Sequence, residues 1–409
     1  MKISSSSIIF GIFLLSLPAG AREPANLDEA KKCVVFVKSY DEANKPFANA
    51  TGFIMESDGT QWIYTNAHAI DGGKRIEFTD SEGQVIKGLG RFACFSKSSG
   101  SGSLSSGKGK QKETHRFGGD GIRVELTTKR DLAFAPASDP ASFAKGAEVI
   151  TLGDNDGDKA LEVLDGTITN SNGKVLQSTC KTRPGCSGAP LFSKADYKVI
   201  ALHTWGFSTQ TKLASRIWQD EKTKTAGASI LAKAEWIEMK AADFLRSSTE
   251  AMKFRDTVKG LYLVYLLVPQ EDGFKIDPAT KVYATSLTFE EAFKRFDEDG
   301  VLRPVIHLNR QLAGRGRDIG VNNMELVKIY SRALQEIRRS YLTQRKGLEG
   351  KLAPYYLTEF EQSGFYEAGD WLAKELDKPE TWFEEKAKLG GSMPVGRWFN
   401  LRPLSDLGE

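Results

Sequence analysis

A chain of 409 residues has room for two or three domains and a sizeable core, and at 40% hydrophobic and 27% charged most of it is expected to fold. The net charge of +3 comes from Lys and Arg that are scattered rather than gathered into a basic stripe, which gives no reason to expect nucleic acid or a membrane surface as a partner. Four histidines and four cysteines show neither metal-ligand spacing nor a CxxC pair, so no metal and no other cofactor is expected.

The first predicted element is a targeting segment. Met1-Lys2 supplies a short positive start, Ile8 to Leu17 an apolar run, and Ala19-Gly20-Ala21 a small-x-small cleavage site. The run falls short of the roughly 20 apolar residues that a membrane span needs. Residues 1–21 therefore read as a cleaved signal peptide, and the chain from Arg22 onward as secreted or periplasmic, with no membrane association once the segment is removed. That setting permits disulfides, and Cys33, Cys94, Cys180 and Cys186 have three possible pairings.

From about Lys32 to Ile230 the pattern is one of short strands and turns. Val34 to Val37 and Thr51 to Met55 are strand candidates. Asp58-Gly59 is a hairpin turn, with Gln61 to Thr65 as the returning strand. Further strands are expected at Arg75 to Phe78, Leu132 to Ala135, Glu148 to Leu152, Glu162 to Thr169, Lys174 to Ser178 and Val199 to Thr204, a spacing typical of all-β sandwiches or barrel pairs. Ser96 to Gly121, rich in Ser, Gly and Lys, has almost nothing apolar to bury and is expected to be a flexible surface insertion. After about residue 230 the pattern changes. Lys233 to Leu245 reads as a helix, Gly260 to Pro269 as a strand, and Phe289 to Phe296, Met324 to Leu342, Leu357 to Glu375 and Thr381 to Leu389 as charged helices. Residues 249–409 are thus expected to form a separate, mainly helical region.

Three motifs carry chemistry, in the order His, Asp, Ser. They are Thr65-Asn66-Ala67-His68-Ala69-Ile70, Arg130-Asp131-Leu132-Ala133-Phe134, and Pro184-Gly185-Cys186-Ser187-Gly188-Ala189-Pro190. A serine hydroxyl is a weak nucleophile at neutral pH and needs a base beside it. A histidine can take the proton and return it, and a buried carboxylate holds the imidazole in the useful tautomer. The glycines around Ser187 let the backbone turn tightly enough for the N–H groups of Gly185 and Ser187 to converge on one developing oxyanion. Asp71, Asp120 and Asp139 compete with Asp131 for the carboxylate role. Asp131 is preferred because Leu132-Ala133-Phe134 offers an apolar strand to bury it, whereas Asp120 and Asp139 stand in polar or Pro-containing surroundings.

These motifs resemble those of the chymotrypsin-like serine peptidases. TNAHAI is similar to the TAAHC or TNNHV segment of that clan, RDLAF to its DLAL or DIAL strand, and GCSGAPLF to GDSGGPL. Ala201-Leu202-His203-Thr204-Trp205-Gly206 is similar to the GIVSWG strand that follows. The resemblance covers roughly residues 32–246. It implies an all-β double β-barrel peptidase domain over 22–248, with insertion 96–121, catalytic residues His68, Asp131 and Ser187, and a protein or peptide substrate. Cys186 replaces the Asp or Asn that precedes the nucleophile in the family, so activation through an ion pair with a freed N-terminus is not expected. Cys186 either bridges to Cys180 or remains a small buried thiol. In the family the specificity pocket is walled by the segment before the nucleophile and by the strand after it. This places Lys181, Thr182, His203, Thr204 and Gly206 at the substrate. A histidine at position 203 and a hydroxyl at 182 resemble the glutamyl endopeptidases, which implies a preference for Glu before the cleaved bond. Two other classes compete. One is an α/β-hydrolase esterase, because GCSGA is nearly G-x-S-x-G and His307 follows late. The other is a catalytically inactive binding module on the same fold.

Overall fold

The computed structural model describes residues 20–100, 102–106, 113–117, 119–154, 160–207, 225–232, 234–267, 335, 338–362, 365–375 and 377. Residues 1–19 of the expected signal peptide, the helices expected at 289–296 and 381–389, and His307, Trp382 and Trp398 lie outside them.

After a short capped helix, α1 (Leu27–Lys32), eight strands follow: β1 (Val34–Tyr40), β2 (Pro46–Ser57), β3 (Thr60–Asn66), β4 (Arg75–Asp80), β5 (Leu89–Phe95), β6 (Gly102–Ser106), β7 (Glu113–Phe117) and β8 (Gly121–Leu126). The β2–β3 hairpin turns at Asp58 and Gly59, whose φ values of 53° and 72° both lie in the left-handed region that a tight two-residue turn requires. The next group is β9 (Glu148–Asp154), β10 (Leu161–Ser171), β11 (Val175–Ser178), β12 (Pro190–Ser193), β13 (Val199–Phe207), β14 (Thr225–Ile230) and β15 (Trp236–Met239). Three helices follow, α2 (Ala241–Leu267), α3 (Pro354–Gln362) and α4 (Phe365–Glu375), with a helical stretch over 338–347 between α2 and α3.

Strands β9 to β14 close a six-stranded barrel, β10-β11-β14-β13-β12-β9, while β15 returns to join β1 to β5 and β8 in a seven-stranded sheet, β15-β5-β8-β3-β2-β1-β4, with β6 and β7 forming a separate pair. The expected all-β body is present, but only one of the two expected barrels closes among the described residues. The outer face of the other sheet is covered by helices instead. Among the described residues, eleven strands, α1 and one short 3-10 helix (Pro140–Phe143) precede Ser187, with no regular alternation of strands and helices, which removes the α/β-hydrolase reading.

Four local expectations need correction. Leu132 to Ala135 makes isolated bridges rather than a strand. Its Phe134 is fully buried, meeting the Phe53 ring edge-to-face and the Phe192 ring at a tilt, and so joins the sheet to the barrel. The insertion 96–121 is not all loop: β6 and β7 pair as a hairpin, and Gly121 already begins β8. Within Lys233 to Leu245, Ile237 and Met239 belong to a strand paired with β5, and the helix starts only at Ala241. Residues 260–267, expected as a strand, finish α2; the buried positions Phe244, Ala251, Phe254, Val258 and Leu261 recur every three, four or seven residues, which is helical spacing.

The boundary expected at 248 falls inside α2. Helix residues Phe244, Phe254, Tyr356 and Phe360 share one apolar cluster with Val35, Ile63, Phe92, Cys94 and Val124 of the sheet. The helices and the sheet are therefore two sides of one core. Helix packing within it is close: a Cβ on Gly369 of α4 would lie 2.5 Å from the Tyr341 ring, so only glycine fits.

Candidate active site

His68 rides on a tight turn directly after β3. The turn is closed by hydrogen bonds from Ile70 N–H and Asp71 N–H to the Ala67 carbonyl, at 3.1 and 3.0 Å. Facing it is Asp120, the last residue before β8. Antiparallel pairing of β3 with β8 sets Asn66 opposite Gly121, so the residues just beyond each strand end, His68 and Asp120, meet. One Asp120 carboxylate oxygen lies 2.5 Å from His68 Nδ1, and the other accepts the His68 backbone N–H at 2.9 Å. The Asp120 carbonyl accepts from Asn66 Nδ2 at 2.7 Å and from Ala67 N–H at 3.3 Å. The Asp120 side chain is 6% exposed, the His68 side chain 39%.

Asp131, the carboxylate expected from the sequence, is exposed and makes no contact with His68; its carbonyl accepts the Arg22 N–H at 2.9 Å. The apolar run that favoured it serves the Phe134 cluster instead. The signal for Asp120 is present in the chain: a Gly-Gly-Asp-Gly stop just before the alternating strand Ile122-Arg123-Val124-Glu125-Leu126. Recognising it requires knowing that β8 is the strand paired to β3.

Burial is the largest influence on the His68 imidazole and by itself lowers its pKa. Asp120, through its charge and hydrogen bond, outweighs burial with help from the Asp71 and Glu359 carboxylates, so His68 titrates above its ordinary value. A carboxylate only accepts, so the short contact assigns the proton on Nδ1 and leaves Nε2 free as an acceptor.

Ser187 lies on the turn Pro184–Gly188, half-buried. Thr51 of β2 ties this turn down: its N–H donates to the Ser187 carbonyl at 2.8 Å and its hydroxyl to the Gly185 carbonyl at 2.8 Å. The same hydroxyl accepts from Asp154 N–H at 3.0 Å. Gly188 presses against the strand that leads to His68. With φ at +84°, a Cβ there would lie 2.1 Å from the Thr51 carbonyl and 2.3 Å from Thr65 Oγ1. Glycine at 188 is what lets the serine turn approach the histidine strand. Gly185 has φ 103°. Among the described residues, no acceptor takes the N–H of Gly185 or of Ser187.

His203 joins this turn from β13: its N–H donates to the Ala189 carbonyl, and its carbonyl accepts from Gly188 N–H, both at 2.9 Å. Its side chain is buried, and burial, reinforced by the nearby His68, pushes its pKa down to about 3. His203 is therefore a neutral imidazole at neutral pH. Thr204 is occupied: its hydroxyl donates to the Leu202 carbonyl at 3.1 Å and accepts from Asn66 Nδ2 at 3.2 Å. Thr182 is buried just before the serine turn and Lys181 is exposed. Gly206 continues the pairing of β13 with β14 at Ala226. The four cysteines are buried and none is joined in a disulfide, so of the two alternatives for Cys186 the bridge to Cys180 is not formed. Cys186 packs within 2.3 Å of where a Cβ on Gly153 would be, so it is a filler between the Ser187 turn and β9.

No curated protein matches this chain. A solved serine endoprotease from Yersinia pestis is 19% identical, with a TM-score of 0.34 over 51% of this chain and 62% of that one, so the chain spans less than two thirds of it. A likeness at that score adds no weight to the assignment. The family model of the trypsin-like peptidase domain matches residues 50–202, the stretch that contains His68, Asp120 and Ser187.

Proposed function

We propose that this protein is an exported serine endopeptidase whose triad is His68, Asp120 and Ser187. The observation that carries this reading is the buried Asp120 carboxylate on His68 Nδ1, in a domain whose serine turn is held against the histidine strand by Gly188 and Thr51. In this mechanism Ser187 Oγ attacks the scissile carbonyl carbon and passes its proton to His68 Nε2. Asp120 stabilises the imidazolium without taking a proton itself. The carbonyl oxygen becomes an oxyanion that accepts hydrogen bonds from the Gly185 and Ser187 N–H groups, each contributing about 3 kcal/mol to the transition state. Collapse of the intermediate expels the amine, which takes the proton from His68 and leaves an acyl-serine. Water then repeats the sequence with His68 as base, releasing the acid and restoring Ser187.

The substrate class is protein or peptide. Preference for Glu before the cleaved bond rests on His203, Thr182 and Lys181, with a neutral imidazole acting as hydrogen-bond donor rather than as charge. Export rests on residues 1–21 and predicts a mature N-terminus at Arg22.

The test is labelling by a fluorophosphonate probe together with a peptide-library cleavage profile. Wild type labels and cleaves, and Ser187→Ala does neither while keeping its circular dichroism spectrum. An unlabelled, inactive wild type would favour the binding-module reading. Cleavage mainly after Arg, Lys or Phe would end the glutamyl proposal alone.

A further inference from the structure

Asp71 follows His68 by three residues, and its N–H closes the turn that carries the imidazole. Its carboxylate is held almost wholly by the C-terminal helices. Ser248 Oγ of α2 and Tyr356 OH of α3 donate to Oδ1 at 2.7 and 2.8 Å, and Arg255 Nη1 of α2 donates to Oδ2 at 2.9 Å. Ser248 Oγ also accepts the N–H of Gly72 at 2.7 Å. Arg255 turns its other nitrogen, Nη2, to Glu359 of α3. Arg255 and Asp71 are only 18% and 16% exposed. The arrangement is an acid–base–acid triad at the seam between the helices and the histidine turn.

Such a cluster is more than an adhesive for two surfaces already joined by apolar packing. Phe244, Phe254, Tyr356 and Phe360 supply that adhesion. Buried charges cost desolvation and are weak contributors to stability, but they have a defined geometry that apolar contacts lack. Here the geometry is imposed on the turn containing His68.

We propose that the Asp71–Arg255–Glu359 triad makes the C-terminal helices a working part of the peptidase site, with Asp71 and Arg255 as positioning residues that hold the turn 67–71 and so aim His68 at Ser187. This rests on the serine-peptidase reading above. The charged and titratable groups around His68 come from every neighbouring element. They are Asp120 before β8, His203 on β13, Asp71 in the turn itself, Arg255 on α2, and Glu359 with Tyr355 and Tyr356 on α3. Because the carboxylates and the guanidinium carry opposite charges, they act on His68 in opposite senses. Asp71 and Glu359 favour the imidazolium, and Arg255 offsets them.

That opposition supplies the test, made on the full chain with Asp71→Asn, Arg255→Met and Arg255→Lys. The readouts are kcat and KM separately, the acid limb of kcat/KM against pH, and the His68 titration followed by NMR, its signal assigned with His68→Gln. Arg255→Met is expected to lower kcat about 100-fold, the scale of a misplaced reacting group, with KM nearly unchanged. Its acid limb and His68 titration move to higher pH. Asp71→Asn moves both to lower pH and lowers kcat about tenfold, a fraction of the same positioning loss. Arg255→Lys restores the wild-type His68 titration. Opposite shifts in the two charge-removing variants support the proposal, since a purely structural loss has no reason to reverse sign. If Arg255→Met does not fold, the nearly isosteric Asp71→Asn decides. Wild-type kcat and wild-type His68 titration in folded Asp71→Asn overturn the proposal. Failure of the wild type to label with a fluorophosphonate would overturn the function instead, and the NMR titration would still decide whether Asp71 and His68 are coupled.

Discussion

The two halves of the molecule support the site in different ways. The barrel that carries Ser187 is closed on itself, and its strands pair with one another all the way round. Its nucleophile turn is held by backbone hydrogen bonds, by Thr51 and by one obligatory glycine. The sheet that carries His68 and Asp120 is open, and its outer face is completed by helices from far along the chain. A closed barrel satisfies its own edges and supplies its own core. An open sheet has an apolar face that something else must cover. In this protein the cover also reaches the turn that carries His68. The serine turn is held by the facing strands of the sheet, through Thr51 and the close approach at Gly188, whereas the histidine turn is held by helices from far along the chain.

The most severe way to probe that difference is to remove the cover. A chain stopped after residue 248 loses Phe254, Tyr356 and Phe360 from the core, all buried. At about 1.5–3 kcal/mol for each large apolar side chain, these three approach the typical 5–15 kcal/mol stability of a domain. The truncated chain is expected to be insoluble or to melt without cooperativity. A soluble fragment with a sharp thermal transition would mean that the sheet needs no helical cover.

Next in size is the identity of the carboxylate. Asp120→Asn should reduce kcat by about 10⁴-fold, because the amide favours the wrong imidazole tautomer. Asp131→Asn should leave peptide cleavage unchanged. Equal rates in the two variants, or the reverse order, would return Asp131 to the site. Since Asp120 holds the His68 pKa above its ordinary value, activity that needs the neutral imidazole should fall on acidification at a pH above the usual histidine value. The residual activity of Asp120→Asn should have its acid limb displaced downward.

On the serine side, Gly188→Ala tests the close approach of the serine turn to the sheet. The added Cβ meets the Thr51 carbonyl, a backbone atom with nowhere to go, at a φ that non-glycine residues rarely adopt. The serine turn must move away from the histidine strand. A loss of about 100-fold in kcat/KM is expected, the scale of an ångström-level misplacement, with the circular dichroism spectrum retained. Wild-type turnover would show that the close approach at Gly188 does not position the nucleophile.

The smallest expected effect concerns His203, at the joint between the two halves. Its folded pKa is depressed to about 3, while in the unfolded chain it titrates near ~6.5. Below that pH the unfolded state binds a proton that the folded state refuses, so the stabilising contribution is complete above about pH 6.5 and is lost as pH falls toward 3. Urea midpoints should decline over this window by up to about 1.4 kcal/mol per pH unit in stability, and His203→Gln should flatten the decline. An unchanged slope in the variant would place the acid sensitivity elsewhere, with the paired carboxylates.

What was readable in the sequence was whatever depends on neighbours along the chain. Strand alternation, the Asp58-Gly59 turn, the histidine turn and the Gly-Cys-Ser-Gly turn all express backbone preferences of a few adjacent residues. They led to the β-rich body and to the expectation that His68 and Ser187 act as a reactive pair. The carboxylate was not readable in this way, because Asp120 and His68 are 52 residues apart and are brought together only by the register of β3 with β8. An apolar strand beside Asp131 looked like the better burial site, yet burial is decided by which surface covers a segment, and the cover of Leu132 to Phe134 is the interface between sheet and barrel. The helices posed the same difficulty: nothing within residues 249–409 says that Arg255 and Tyr356 close on Asp71. Only the tertiary structure decided that, because an apolar stripe specifies that it must be covered and leaves open by what.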